Sequence, residues 1–478
     1  MHLQPGTEYD IRLRLAKTKT EIDLTAKTWD ESLKVKKTVH LPEKWEETLE
    51  ITEGGSEADG YVVYAPEPGK RSVGDAAGRM PANIRVAASY VIVRGLELRN
   101  AATNGIELKH VHDVVIEDCD ISGWGRVSDD GFGDNGDAAV YGNSKELESI
   151  IVQRCDLHHP RSHSNSWLEE RTLKDGRKTH HPMGAQGVML RKGKGRYVIR
   201  DNRIRSDMTH MFNDGMGEFS NFSFAGFPNR DSDIYRNFVS HCRDDGLEIE
   251  GANMNVRVWN NCTDVCMMSL AGASTSLGPV YFWRNIALGS RYGSKSDWDG
   301  SKGGGFLKLG NESVAMTKGR MYVYHNTIYQ PKPWPGRSDS SGCRSGLICT
   351  GKTKRQQNIV SRNNILHLRR EKEIAIRDPF QFPTNDFDFD FILGTVSASE
   401  ESETQAIRGI PVYEPANGKP LGLQPGSPGH DAAVRLPNFN DNYHGEGPDM
   451  GAIETGQDFV VPPTWPPFPE LFSSASEP

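Results

Sequence analysis

No stretch of this chain stays apolar for the roughly eighteen residues that a membrane-spanning helix needs. The first residues show no basic patch leading into an apolar run, so no secretory leader is legible either. A surplus of positive charge is also missing. The net charge of −8 and pI near 6.0 argue against a nucleic-acid partner, because phosphate binding needs a basic surface. An acidic substrate stays open, since a cleft can be locally basic on an acidic protein. The seven cysteines are an odd number with no zinc-type pairing; even the closest two, Cys262 and Cys266, lack the C-x-x-C spacing and a histidine partner pattern. They read as small buried hydrophobes.

What is abundant is corner chemistry: Gly 49 and Pro 27 in 478 residues suit a large core built of many short strands. From residue 85 onward one pattern recurs, a short apolar strand, a polar corner and then an Asn or Cys followed by an apolar residue. Val114-Val115-Ile116-Glu117-Asp118-Cys119-Asp120-Ile121 is one copy and Tyr197-Val198-Ile199-Arg200-Asp201-Asn202-Arg203-Ile204 another. The Asn/Cys position falls at 119, 155, 202, 237, 261, 285, 326 and 363, with Asn237, Asn261 and Asn285 spaced by 24 residues and the other intervals enlarged by insertions of 11 to 23. A period in the twenties with insertions confined to corners marks a β-solenoid. A propeller blade needs roughly 40 residues, and the helical segment of leucine-rich repeats is missing. Each strand alternates apolar and polar residues, so one face points into the coil. The expected fold is all-β, a right-handed parallel β-helix of about ten coils, which at the strand spacing gives a cylinder roughly 50 Å long. The recurring asparagine is expected to bond its counterpart one coil away and to occupy the left-handed corner conformation itself.

Three regions are expected: residues 1–60, a β segment; 61–395, the β-helix; and 396–478, a closing segment. The run Leu3-Gln4-Pro5-Gly6-Thr7-Glu8-Tyr9-Asp10-Ile11-Arg12-Leu13 resembles the tyrosine-corner strand of a fibronectin type III sandwich, which implies a remnant of such a domain. Leu423-Gln424-Pro425-Gly426-Ser427-Pro428 followed by Pro448-Asp449-Met450-Gly451-Ala452-Ile453-Glu454 resembles the end of many bacterial extracellular β-helix proteins. That resemblance implies a secreted, periplasmic or cell-surface protein whose last coil is covered by this segment.

One run concentrates chemistry. In Arg243-Asp244-Asp245-Gly246-Leu247-Glu248-Ile249-Glu250 the apolar Leu247 and Ile249 turn inward, which sets Glu248 and Glu250 side by side outside, with Asp244 and Asp245 at the preceding corner. Four carboxylates so close repel one another unless a hard cation with oxygen ligands neutralises them. Asp214 stands at the equivalent corner one coil earlier. Two coils later Leu307 and Leu309 flank Lys308, which then projects from the same outer face. These pieces resemble the calcium-dependent family 9 pectate lyases, with Glu248 in place of an aspartate and an extra leucine before the lysine. The resemblance implies Ca²⁺ held by Asp214, Asp244, Asp245 and Glu248, and β-elimination on a uronic-acid chain with Lys308 as base. Lys308 must then be neutral, a state that desolvation and the nearby cation favour. Lys308→Ala is expected to abolish turnover and leave folding intact.

A second constellation points to hydrolysis. The insertion 123–143 carries Asp129, Asp130, Asp134 and Asp137, and paired carboxylates such as Asp137, Asp214, Asp245 and Glu248 can act as acid and base on a glycosidic bond. Substrate-binding candidates are His181, Arg191, His210, Glu250 and Arg284, with Arg291 as a further carboxylate partner. The aromatic residues Trp124, Trp167, Phe219, Phe222, Phe224, Trp283 and Trp298 are candidates for stacking on sugars. The expected protein is a monomeric enzyme on an acidic polysaccharide, a lyase first and a glycoside hydrolase second. A non-catalytic adhesin is the third reading, against which stand the insertions 123–143 and 158–186, placed as the walls of a groove would be.

Overall fold

Strands of three to six residues, each ending at a polar corner, cannot bury a face by pairing within one coil; they bury it by stacking coil on coil. The computed structural model describes residues 3–457 apart from 16, 174, 222, 273–274, 291–303, 311–313, 330–341, 350–355 and 415–421, together with 462, 463 and 465. Phe222, Arg291 and Trp298 lie outside the described residues. A coil is three strands, for example His112–Glu117, Asp120–Ser122 and Ala138–Asn143, after which Glu148–Gln153 pairs in parallel with the first. Three sheets result. The first runs from Val35–Leu41 to Asp386–Phe387. The third carries an inward column through Ile106, Val140, Val188, Met216, Leu247, Leu270, Leu307 and Leu347, all buried. Parallel pairing therefore begins before the expected boundary at 61, and it continues past 395 to Ile407–Arg408. Where no insertion separates the second and third strands they fuse, as in the 11-residue strands Phe238–Glu248 and Cys262–Gly272.

At the corner between the first and second sheets, Asn202, Asn237, Asn261, Asn285 and Asn326 form a continuous ladder. Each side-chain amide donates to the Oδ1 of the next at 2.9–3.0 Å. The ladder continues to Asn364 and Asp390, both at 2.8 Å. The repeat read from sequence put Asn363 there. The structure places Asn364 on the ladder and Asn363 one step before it, because the left-handed corner belongs to the residue preceding each rung: Asp201, Arg236, Asn260, Arg284, His325 and Asn363 have φ of 52° to 60°. The ladder asparagine is kept for its two-sided amide and not for its backbone.

Glu8–Arg14 and Glu21–Lys27 form a separate antiparallel hairpin. The closing segment does more than cover an end. Gly451 N–H donates to Asn363 O, Ala452 N–H to Thr327 Oγ1 and Trp465 Nε1–H to Arg236 O, so it runs back along the corner across several coils. All seven cysteines are free and buried.

Candidate active site

The corner before the third sheet carries the insertions, and the groove they wall lies over the strands that hold the acids. Its volume is about 540 Å³; Asn135, Lys178, His181, Asp214, Phe219 and Glu248 are among its lining residues. Asp214 and Asp245 meet because their coils are in register, and Asp245 N–H donates to Asp214 Oδ1 at 2.9 Å. Glu248 leans back toward the same point over Gly217, where any Cβ would come within 2.3 Å of Glu248 Oε2. The Glu248 carboxylate accepts Glu218 N–H at 3.0 Å and Asn221 Nδ2–H at 2.8 Å. One oxygen from each of Asp214, Asp245 and Glu248 lies within 4.8 Å of the others, and all three residues are buried.

Lys308 closes the cluster. Glu248, Ala271 and Lys308 occupy one outward row on successive coils, and the small Ala271 lets the lysine stem lie across it. Its Nζ donates to Asp245 Oδ2 at 2.9 Å and sits 3.0 Å from Glu250 Oε1. Burial together with mutual repulsion holds the Asp214, Asp244 and Glu248 carboxyls well above the usual carboxylate range. For Lys308 burial acts the other way, but the charges of Asp245, Glu250, Asp244 and Glu248 outweigh it and push its pKa well above the ordinary lysine value. Among these acids, with no cation countering them, the lysine is held as an ammonium. It is also their counter-ion, so Lys308→Ala is expected to cost stability as well as turnover.

An oxygen-only donor set fits a hard divalent cation. Within the set Asp245 Oδ1, and beside it Asn213 Oδ1, are buried acceptors without a hydrogen-bond partner. Asp214, Asp245 and Glu248 would hold such an ion. Asp244, expected as a fourth ligand, turns away: Trp167 Nε1–H donates to its Oδ1 at 3.1 Å, and His181 Nε2 lies 3.6 Å from its Oδ2. Adjacent residues on an extended strand point to opposite sides, which separates Asp244 from Asp245.

The remaining candidates are scattered. His181 lines the groove with its ring 4.9 Å from Trp167, and Glu250 joins the cluster. Arg191 stands behind the wall, its guanidinium 4.3 Å over Phe219 and 3.4 Å from Glu218. His210 is placed beside Asp207 and His159 and is not among the lining residues of the groove. Arg284 occupies a ladder corner, where it donates to Ala452 O and Phe439 O of the closing segment; it holds that segment and is far from the third sheet. Asp137 is tied to Arg126 through both its oxygens, so it is no free acid–base partner. Trp124 is fully buried against Phe212, whereas Phe219 and Phe224 stay 42% and 55% exposed and available for stacking. Sequence reasoning missed Asn213, Asn221 and Ala271. Asn213 stood next to a chosen aspartate, but nothing in the repeat marks a loop asparagine or an alanine gap.

Residues 82–278 match the family model for a right handed beta helix region. The solenoid is a right-handed β-helix. Among solved structures, a pectate lyase, Pel9A, aligns over 88% of this chain and 86% of its own at 12% identity with a TM-score of 0.45. A PL6 family alginate lyase, AlyGC, aligns over 81% of this chain at 11% identity with a TM-score of 0.51, and the β-helix described here spans 52% of its length. XylC in complex with xylose aligns over 72% of this chain and 58% of its own at 12% identity with a TM-score of 0.42. No curated protein matches by sequence. At these identities the likeness is one of fold, and function has to be argued from the site.

Proposed function

We propose that this β-helix is a polysaccharide lyase that opens an acidic glycan by β-elimination. The observation that carries the reading is Lys308 reaching over Ala271 to within 2.9 Å of Asp245, at the edge of three converging buried carboxylates. A structural ion pair needs no such surplus of acid, and the groove is lined by two of the three carboxylates, Asp214 and Glu248, which gives a polymer access to that end of the cluster. A bound divalent cation would counter the uronate charge and acidify the proton α to the substrate carboxylate. Asp214, Asp245 and Glu248 would hold that ion, calcium being the expected one. A cation there would counter two of the four charges that keep Lys308 protonated, those of Asp245 and Glu248, and the amine in its neutral form takes the α-proton. The bond from the adjacent β-carbon to the glycosidic oxygen breaks, a carbon–carbon double bond forms, and the leaving oxygen takes a proton from solvent. The polymeric substrate places the protein outside the cytoplasm, secreted, periplasmic or surface-bound. The fold shared with an alginate lyase adds only that such scaffolds host this chemistry.

The test is a panel of uronic-acid polymers and neutral glycans, with calcium and with chelator. New ultraviolet-absorbing unsaturated ends that vanish with chelator support the reading. Reducing ends without that absorbance favour a hydrolase built on Asp245 and Glu248, and binding without cleavage favours an adhesin. Lys308→Arg keeps the counter-ion but cannot be deprotonated, so turnover should fall by at least about a hundredfold.

A further inference from the structure

The outer face of the first sheet carries an aromatic column that the groove does not use. Tyr235, Trp259, Trp283 and Tyr324 occupy one outward row, a residue per coil. Tyr235 and Trp259 stack at 4.3 Å and Trp259 and Trp283 at 5.3 Å. At one end the chain covers its own column: Phe439 of the closing segment packs 5.8 Å from Trp283 and 5.2 Å from Tyr324. At the other end Tyr235 and Trp259 open into a cleft of about 590 Å³ whose far wall includes Trp29, 43% exposed. That volume is within the span of about 300–1,000 Å³ typical of small-ligand pockets.

Two features of the cleft ask for a ligand. The Trp259 indole N–H, a donor with no acceptor role, is buried without a hydrogen-bond partner. The exposed Arg196 guanidinium lies 5.4 Å over the Trp29 ring and takes part in no ion pair among the described residues. The other two guanidinium groups of the lining are already paired, Arg200 with Glu31 at 3.0 Å and Arg257 with Asp233 at 2.6 Å, and Asp30 and Asp231 share the wall, so the place for a ligand carboxylate is beside Arg196 alone.

We propose that this cleft is a second glycan site, distinct from the groove on the third sheet, that takes a short stretch of an acidic oligosaccharide. The apolar face of a sugar ring packs on Trp29, a ring or hydroxyl oxygen accepts the Trp259 N–H, and a uronate carboxylate pairs with Arg196. An acidic peptide would meet the same arginine but would leave the aromatic walls and the indole donor without a matching partner. The site does not depend on the cleavage chemistry proposed above; a β-helix that only binds glycans would use it equally.

The experiment uses the full chain carrying Lys308→Arg, titrated with oligogalacturonate and oligoalginate hexasaccharides, with cellohexaose as the neutral probe and polyglutamate as the acidic peptide. Tryptophan fluorescence and calorimetry report binding, and hydrogen exchange reports where it occurs. The expected result is protection at residues 28–31 and 196–200, with affinity for at least one acidic oligosaccharide falling about tenfold in Arg196→Gln and in Trp29→Ala. Should Trp29→Ala disturb the N-terminal hairpin, Arg196→Gln alone decides. Oligosaccharide binding that is indifferent to Arg196→Gln, or polyglutamate binding without any sugar binding, overturns the proposal. Cleavage of nothing in the glycan panel would remove the lyase reading and leave this result standing.

Discussion

Replacing Lys308 by methionine keeps an apolar stem over Ala271 and deletes the ammonium. Asp245 Oδ2 and Glu250 Oε1 then lose a partner at 2.9 and 3.0 Å, on side chains only 1% and 2% exposed. Removing one member of a buried ion pair costs about 3–5 kcal/mol, because the other charge stays buried without compensation. Lys308 is itself 26% exposed, so solvent supplies part of the lost stabilisation and the low end, about 3 kcal/mol, is expected. The sign with pH follows from the acids. The folded-state pKa values of Asp214, Asp244 and Glu248 are already raised and rise further without the lysine, so the folded state binds more protons than the unfolded one. The unfolded chains titrate alike and cancel, so the deficit is full above the variant's raised folded-state values and shrinks as the pH falls through them and the acids protonate. Urea midpoints of wild type, Lys308→Met and Lys308→Arg at pH 7 and pH 4, with and without calcium, measure this. Arginine should restore most of the loss, and calcium should stabilise the methionine variant more than wild type. Equal midpoints for wild type and Lys308→Met at pH 7 would refute the counter-ion role.

Two further predictions concern the scaffold. Asn261→Ala leaves Asn237 N–H, the Asn237 side-chain amide and Ile234 C=O without their partner at 3.0 Å. At about 1–3 kcal/mol per buried unpaired group, a loss of at least about 3 kcal/mol in urea denaturation is expected, and one under about 1 kcal/mol would mean the ladder is not load-sharing. His325 is buried, with Asn363 and Asn440 amides donating to Nε2 and Gly451 O facing Nδ1, and burial lowers its pKa from 6.5 to about 3. A depressed histidine pKa contributes stability that is present above pH 6.5 and is lost as pH falls toward 3, by about 1.4 kcal/mol per unit. Since His325 binds the closing segment, hydrogen exchange at residues 440–451 should accelerate over that window in wild type and not in His325→Gln.

What the sequence determined by itself was whatever repeats. The 24-residue spacing of Asn237, Asn261 and Asn285 was enough to specify stacked parallel coils, and strand parity around Leu247 and Leu307 was enough to put Glu248 and Lys308 on one outer row. Periodicity is local, so it is written in the chain. The tertiary structure alone decided what crosses between coils or departs from the period. It separated Asp244 from Asp245, moved the ladder from Asn363 to Asn364, drew Arg284 under the closing segment and made the Lys308 amine the counter-ion of buried acids. Those outcomes depend on which side chains the insertions and the closing segment bring in from distant sequence. Contacts of that kind are set by packing and charge balance in three dimensions, and no spacing along the chain encodes them.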